Sequence, residues 1–153
     1  MRDDMKRGFS LVELIIVVAI LGIMAAIVVP QFQGNSTEAR VAVAKEGLRI
    51  LRSSIEIYAA QHGGVPPGYE NDNSQTAPTY DDFYDQLVTD NSYMTKMPKN
   101  PFNNLQNIYM VGNEETFPQS PVDGYGWIYQ PATKTIRLNY AGTSPEGILY
   151  MNY

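Results

Sequence analysis

The 153-residue chain has no cysteine, one histidine and one tryptophan. Without cysteine, no disulfide can staple the fold and no thiol chemistry is available. A Ser-His-Asp triad would have to draw on His62 alone, and no serine stands in a Gly-x-Ser-x-Gly elbow. A phosphate-binding loop and a His-Glu-x-x-His pair are also missing. Basic side chains are in deficit, 11 against 16 acidic, and beyond residue 8 the ratio is eight to fourteen. Nucleic-acid binding needs cationic side chains for the phosphates, so this balance argues against it. On this inventory the chain reads as a non-enzyme. His62 sits at a predicted helix end beside Gly63, where the helix dipole favours a cation and a capping role suffices.

Against these absences stands one long apolar run, Phe9 to Val29, with Glu13 inside it. The uninterrupted part from Leu14 covers only about 24 Å as a helix, short of a hydrocarbon core of roughly 30 Å. Counting from Phe9 gives about 31 Å, so the segment spans only if Glu13 is drawn to the edge of the core or into it. A carboxylate at the bilayer centre costs about 2.5–3.5 kcal/mol on insertion scales, so it needs a partner or a headgroup. A secretory signal would end in a small-x-small site, but Met24-Ala25-Ala26 puts methionine where a small residue belongs. Arg2, Lys6 and Arg7 precede the run, which places the N-terminus in the cytoplasm and the bulk of the chain outside. Gly22 and Ala26 form a small-xxx-small pair that lets helices approach closely, although glycine is common in membrane helices and ordinary span composition accounts for the pair more simply.

Helical character continues past the run. Ala44, Leu48, Leu51, Ile55 and Tyr58 recur at spacings of three and four, the single face of an amphipathic helix. Gly63-Gly64 and Pro66-Pro67 end it. Between the halves, Pro30 costs about 3 kcal/mol in a helix interior and Gly34 about 1 kcal/mol. Asn35 with Glu38 offers a restart through a capping box. A kink or melted turn within Pro30–Asn35 is therefore expected.

All eleven tyrosines lie from Tyr58 onward, and the remainder is rich in Tyr, Asn, Gly and Pro. Residues 79–88 read as a short helix capped by Thr79. Asp81, Asp82 and Asp85 favour its first turn, or else offer oxygen ligands to a hard cation. Lys96 to Asn104 is turn chemistry around Pro98 and Pro101. Gly126–Tyr129 and Thr135–Asn139 look like paired strands joined by Pro131–Lys134, with Ile148–Tyr150 as a third strand or an ordered tail. The helical stripe is the natural cover for one face of such a sheet, and Trp127 its core anchor.

Lys6-Arg7-Gly8-Phe9-Ser10-Leu11-Val12-Glu13-Leu14, with the apolar run and Pro30 behind it, resembles the N-terminal signal of type IV prepilins and type II secretion pseudopilins. The resemblance is strong over about the first 62 residues and holds in outline beyond. It implies an α+β, type IV pilin-like fold: a long N-terminal helix, half transmembrane and half amphipathic, packed on a small antiparallel sheet. The implied organisation is a leader at 1–8, a transmembrane and assembly helix at 9–30, an amphipathic helix at 31–64 and a small globular head at 65–153. Gly8 would precede the bond cut by a prepilin peptidase, and Phe9 would become the N-methylated first residue. Glu13 would neutralise the amine of a neighbouring subunit, while Gly22 and Pro30 would belong to the assembly helix.

The layout of the head looks most like the major pseudopilin of type II secretion. It departs from that family at Asn100-Pro101-Phe102-Asn103, where Asp-Pro-Trp-Gly is usual. Ala141–Gly147 offers only Glu146 for the family's acidic calcium loop, so no cofactor is expected. The implied partners are further copies, other pilin-like subunits, the peptidase, an inner-membrane assembly platform and the membrane itself. The implied role is a filament subunit, driving protein export as a pseudopilus or serving adhesion, motility or DNA uptake as a pilus. A membrane-anchored binding module that never polymerises remains a separate reading.

Overall fold

A computed structural model describes residues 10–89 and 93–153, and over 27–36 the backbone only. The chain divides into two compact units, Met1–Thr37 and Glu38–Tyr153. Helix α1 runs Leu11–Gln61. It passes through residues 30–35 without the melted turn expected there. Helix propagation is cooperative, and long flanking runs of helix formers carry the local cost.

In the first unit, the described large side chains from Leu11 to Met24 are between 45% and 74% exposed. They surround the helix instead of forming a stripe, so nothing in the unit itself buries them. Among the described residues no helix is long and apolar enough to cross a membrane. The described side chains of the apolar run stop at Ala26.

In the second unit the predicted stripe is buried: Ala44, Leu48, Leu51, Ile55 and Tyr58 are at most 3% exposed. Gly63 and Gly64, both at positive φ, end the helix, with Gly64 N–H donating to the Ala59 carbonyl at 2.7 Å. Helix α2 covers Tyr80–Tyr84 and gives way to a π-helical turn, Asp85–Thr89. Three strands form one sheet in the order β1 (Ile108–Met110), β2 (Trp127–Gln130), β3 (Thr135–Leu138).

The sheet is mixed, which corrects the antiparallel expectation. β2 and β3 pair antiparallel as foreseen, with Trp127 opposite Leu138, around a 3-10 turn at Pro131–Thr133. β1 pairs parallel to β2, with Ile108 opposite Trp127. A parallel neighbour needs a crossover of a dozen or more residues, and 111–126 supplies it. The third strand is therefore not Ile148–Tyr150. That segment makes one bridge, Thr143 to Leu149, and then a 3-10 turn, Tyr150–Asn152. Tyr150 is drawn into the core against Phe102, with ring centroids 4.5 Å apart.

β2 is buried along its whole length because both faces are covered. Ile108, Trp127, Tyr129, Ile136 and Leu138 join the α1 stripe, while Ile128 packs with Val111 and Met151 on the other side.

Candidate functional site

Two regions carry the functional expectations: the start of α1 and the head that follows it. Gly8 and Phe9 lie outside the described residues, as does the side chain of Pro30. Glu13 falls in the first turn of α1 and is exposed. A carboxylate there is favourably placed toward the helix N-terminus. Among the described residues no group of the chain pairs with it. Nine residues on, Gly22 is open, with nothing within 4 Å of where a Cβ would stand. The start of α1 therefore presents a bare apolar surface interrupted by one carboxylate and one flat spot.

In the head, Thr79 caps α2 as read from sequence. Its hydroxyl oxygen accepts from Asp82 N–H at 3.1 Å and also meets the Asp82 carboxylate. Asp85 accepts from the Thr89 hydroxyl at 2.7 Å. Among the described residues, no cluster of three or more His, Cys, Asp or Glu could hold a metal ion.

His62 does more than end a helix. Its ring stacks on Tyr58, with centroids 3.9 Å apart. Its Nδ1 lies 2.7 Å from Asp72 Oδ2, and Nε2 lies 3.3 Å from the Tyr93 hydroxyl. Tyr58 donates to the other Asp72 oxygen at 2.5 Å. Burial works against the Asp72 carboxylate, but the Tyr58 and His62 hydrogen bonds and the nearby imidazole hold it below the usual 3.8. Burial, then the Asp72 hydrogen bond, pushes the Tyr58 phenol up. Asp72 itself sits at positive φ, so the cluster pins a tight turn to the end of α1. Sequence reading missed this, because Asp72 lies in a polar loop with no motif.

At the C-terminus, the lone carboxylate of residues 141–147, Glu146, is already engaged. Lys45 Nζ reaches it at 3.3 Å and the Tyr153 hydroxyl at 3.4 Å. Arg52 donates to the carbonyls of Ile136, at 3.2 Å, and Tyr153. Glu146 is the one side-chain carboxylate of residues 141–147, whereas calcium takes six to eight oxygens.

Residues 4–29 match the prokaryotic N-terminal methylation motif. The type II secretion system core protein G of Vibrio cholerae is 30% identical over 122 residues, 72% of this chain and 75% of that protein. The chain belongs to the type II secretion core protein G family. The Pseudomonas aeruginosa core protein G is 26% identical over 117 residues, 76% of this chain and 82% of its own length. The prepilin peptidase-dependent protein D of Escherichia coli is 32% identical over 76 residues, half of this chain and 52% of that protein. No solved structure matches. The family relationship extends well beyond the motif, so it includes the head as well as the start of α1. Glu13 and Gly22 both fall inside the motif's range.

Proposed function

We propose that the chain is a pseudopilin, a structural subunit that polymerises into the pseudopilus of a type II secretion system. Membership of the core protein G family supports this reading, and one structural observation carries it: the apolar surface of α1 from Leu11 to Met24 is exposed all round. Burying a single side chain of that kind is worth roughly 1.5–3 kcal/mol, so the free unit is held in lipid or among other helices. In this proposal the chain first sits in the inner membrane as a single pass, N-terminus cytoplasmic and head periplasmic. A prepilin peptidase cuts between Gly8 and Phe9, and Phe9 is N-methylated. An assembly platform then draws the subunit out, and its helix enters a bundle of identical helices. There Glu13 meets the new N-terminal amine of a neighbour, which supplies the partner a carboxylate in an apolar setting requires. The engagement of Glu146 by Lys45 supports a head that folds without calcium.

The direct test compares the culture supernatant of a strain lacking this chain with its parent, by mass spectrometry. Selective loss of exported enzymes, restored by the intact gene and not by Glu13→Ala, is the expected result. An unchanged set of exported proteins would remove the secretion role.

A further inference from the structure

A shallow groove of about 680 Å³ runs between α1 and the strap that carries Lys96 to Lys99. Val43 and Ile50 form one wall and Met97 and Pro98 the other, with the two lysines on the rim. The groove is preformed. Trp127 Nε1 donates to the Pro98 carbonyl at 3.0 Å, and Gly47 lets the strap and the indole approach the helix: a Cβ there would stand 3.1 Å from the indole ring. Val43 is 56% exposed. Among the described residues, neither lysine has an ion pair or hydrogen bond. The one carboxylate in the groove, Glu46, is taken by Arg49 through two contacts of 2.7 and 2.8 Å. The groove thus combines an apolar floor with two unneutralised positive charges.

The same molecule carries a surface of complementary character. Helix α2 and the turn after it bear Asp81, Asp82 and Asp85 together with the half-buried Tyr80 and Tyr84, whose ring centroids are 6.0 Å apart. Thr79 and Thr89 occupy part of Asp82 and Asp85, and the Asp81 side chain makes no hydrogen bond or ion pair among the described residues. The two surfaces are built from different segments of the head. Two distinct, complementary patches on one subunit make a heterologous contact, which propagates into an open helical array where its rotation does not close.

We propose that the α2 ridge of one copy docks in the Lys96–Lys99 groove of the next, so that the heads stack through charge and aromatic contact independently of the helix bundle. This rests on the filament reading above. Tyr80 and Tyr84 lie over the apolar floor, and the three aspartates face the two lysines. Charge complementarity fixes the register of such contacts and repels misaligned ones.

The absence of cysteine makes the test clean. Lys99→Cys and Asp81→Cys are combined in the full chain, filaments are assembled in cells, and an oxidant is added. A ladder of dimers and higher species on a non-reducing gel, absent from either single variant, is expected. Separately, K96E with K99E should reduce filament yield about tenfold or more, and adding D81K with D85K should bring it back toward the unaltered level. Filaments that form without a ladder would overturn head docking and leave the filament reading standing. No filaments from the unaltered chain would overturn both. If the lysine reversals instead abolish binding to phosphatidylglycerol vesicles while the cysteine pair stays silent, the lysines serve the membrane and the docking proposal fails.

Discussion

The indole of Trp127 hangs the Pro98 strap on the core: its Nε1 donates to the Pro98 carbonyl at 3.0 Å while the ring itself is fully buried. The ring fills space between the sheet and α1, and its N–H sets where the strap lies. Trp127→Phe keeps most of the apolar contact and removes the donor, leaving a carbonyl without its partner. The expected cost is about 1–2 kcal/mol. Trp127→Ala should cost about 3–5 kcal/mol through the cavity it leaves. Urea melts of the full chain in detergent, followed by circular dichroism, measure both. Equal losses in the two variants would mean that the hydrogen bond, and not packing, dominates.

Gly126 is fixed by a close approach. A Cβ placed on it would come within 2.3 Å of the Leu105 carbonyl oxygen and 2.8 Å of its carbon. Both atoms are backbone, so neither can swing aside as a side-chain tip would. The same strip is tied down by Asn100, which donates from Nδ2 to the Gly126 carbonyl at 2.9 Å and is fully buried. Gly126→Ala should therefore move the start of β2 away from the 100–105 loop and destabilise the head by about 3 kcal/mol. Protease resistance of the head at rising temperature reports it. A wild-type melting profile would show that the loop can yield.

The parts of the fold legible in the sequence were those with a long period or a distinctive neighbour. The α1 stripe announced itself by spacing, and every member named from sequence is buried. The β2–β3 hairpin was legible from two apolar runs flanking Pro131, and the Thr79 cap from hydroxyl and aspartate chemistry. β1 was not, because Ile108–Met110 is three residues long and its partner lies beyond a crossover. Nothing local marks a parallel pair. Ile148–Tyr150 looked like a strand for the opposite reason: its composition is right, but Gly147 at positive φ and the Phe102 pocket turn the chain inward. At the start of α1, Glu13 stood out because charge is costly in apolar surroundings. The His62–Asp72 cluster gave no such signal, since its members come together only through a tight turn.

Calcium should leave the head unaffected. Glu146 is the single carboxylate of the C-terminal segment, and Lys45 already neutralises it. The segment is held instead by Arg52 on the Tyr153 carbonyl and by the Tyr150–Phe102 contact. Adding millimolar calcium, or removing it with a chelator, should shift the melting temperature by less than about 1 °C, because a ligand that does not bind the native state cannot stabilise it. Arg52→Ala should lower the melting temperature by several degrees, on the order of 1 kcal/mol for a 116-residue head. Stabilisation by calcium would show that the Lys45–Glu146 pair opens to admit an ion.

Acid should unfasten the turn at Asp72. Its carboxylate faces the Tyr58 hydroxyl and the His62 ring, and Tyr93 and Gln61 close the far side of that ring. Because the folded-state pKa is depressed below 3.8, the ionised form is favoured by folding. That contribution is complete above the unfolded value, near pH 3.8, and is lost as pH falls through the lower folded value. Asp72→Asn should remove it at neutral pH. With the side chain about a third exposed, the cost is about 1 kcal/mol, less than for a fully buried charged hydrogen bond. The variant and the parent should therefore differ in stability at pH 7 and converge in strong acid. Parallel stability curves down to the lowest pH would show that the carboxylate contributes only by its shape.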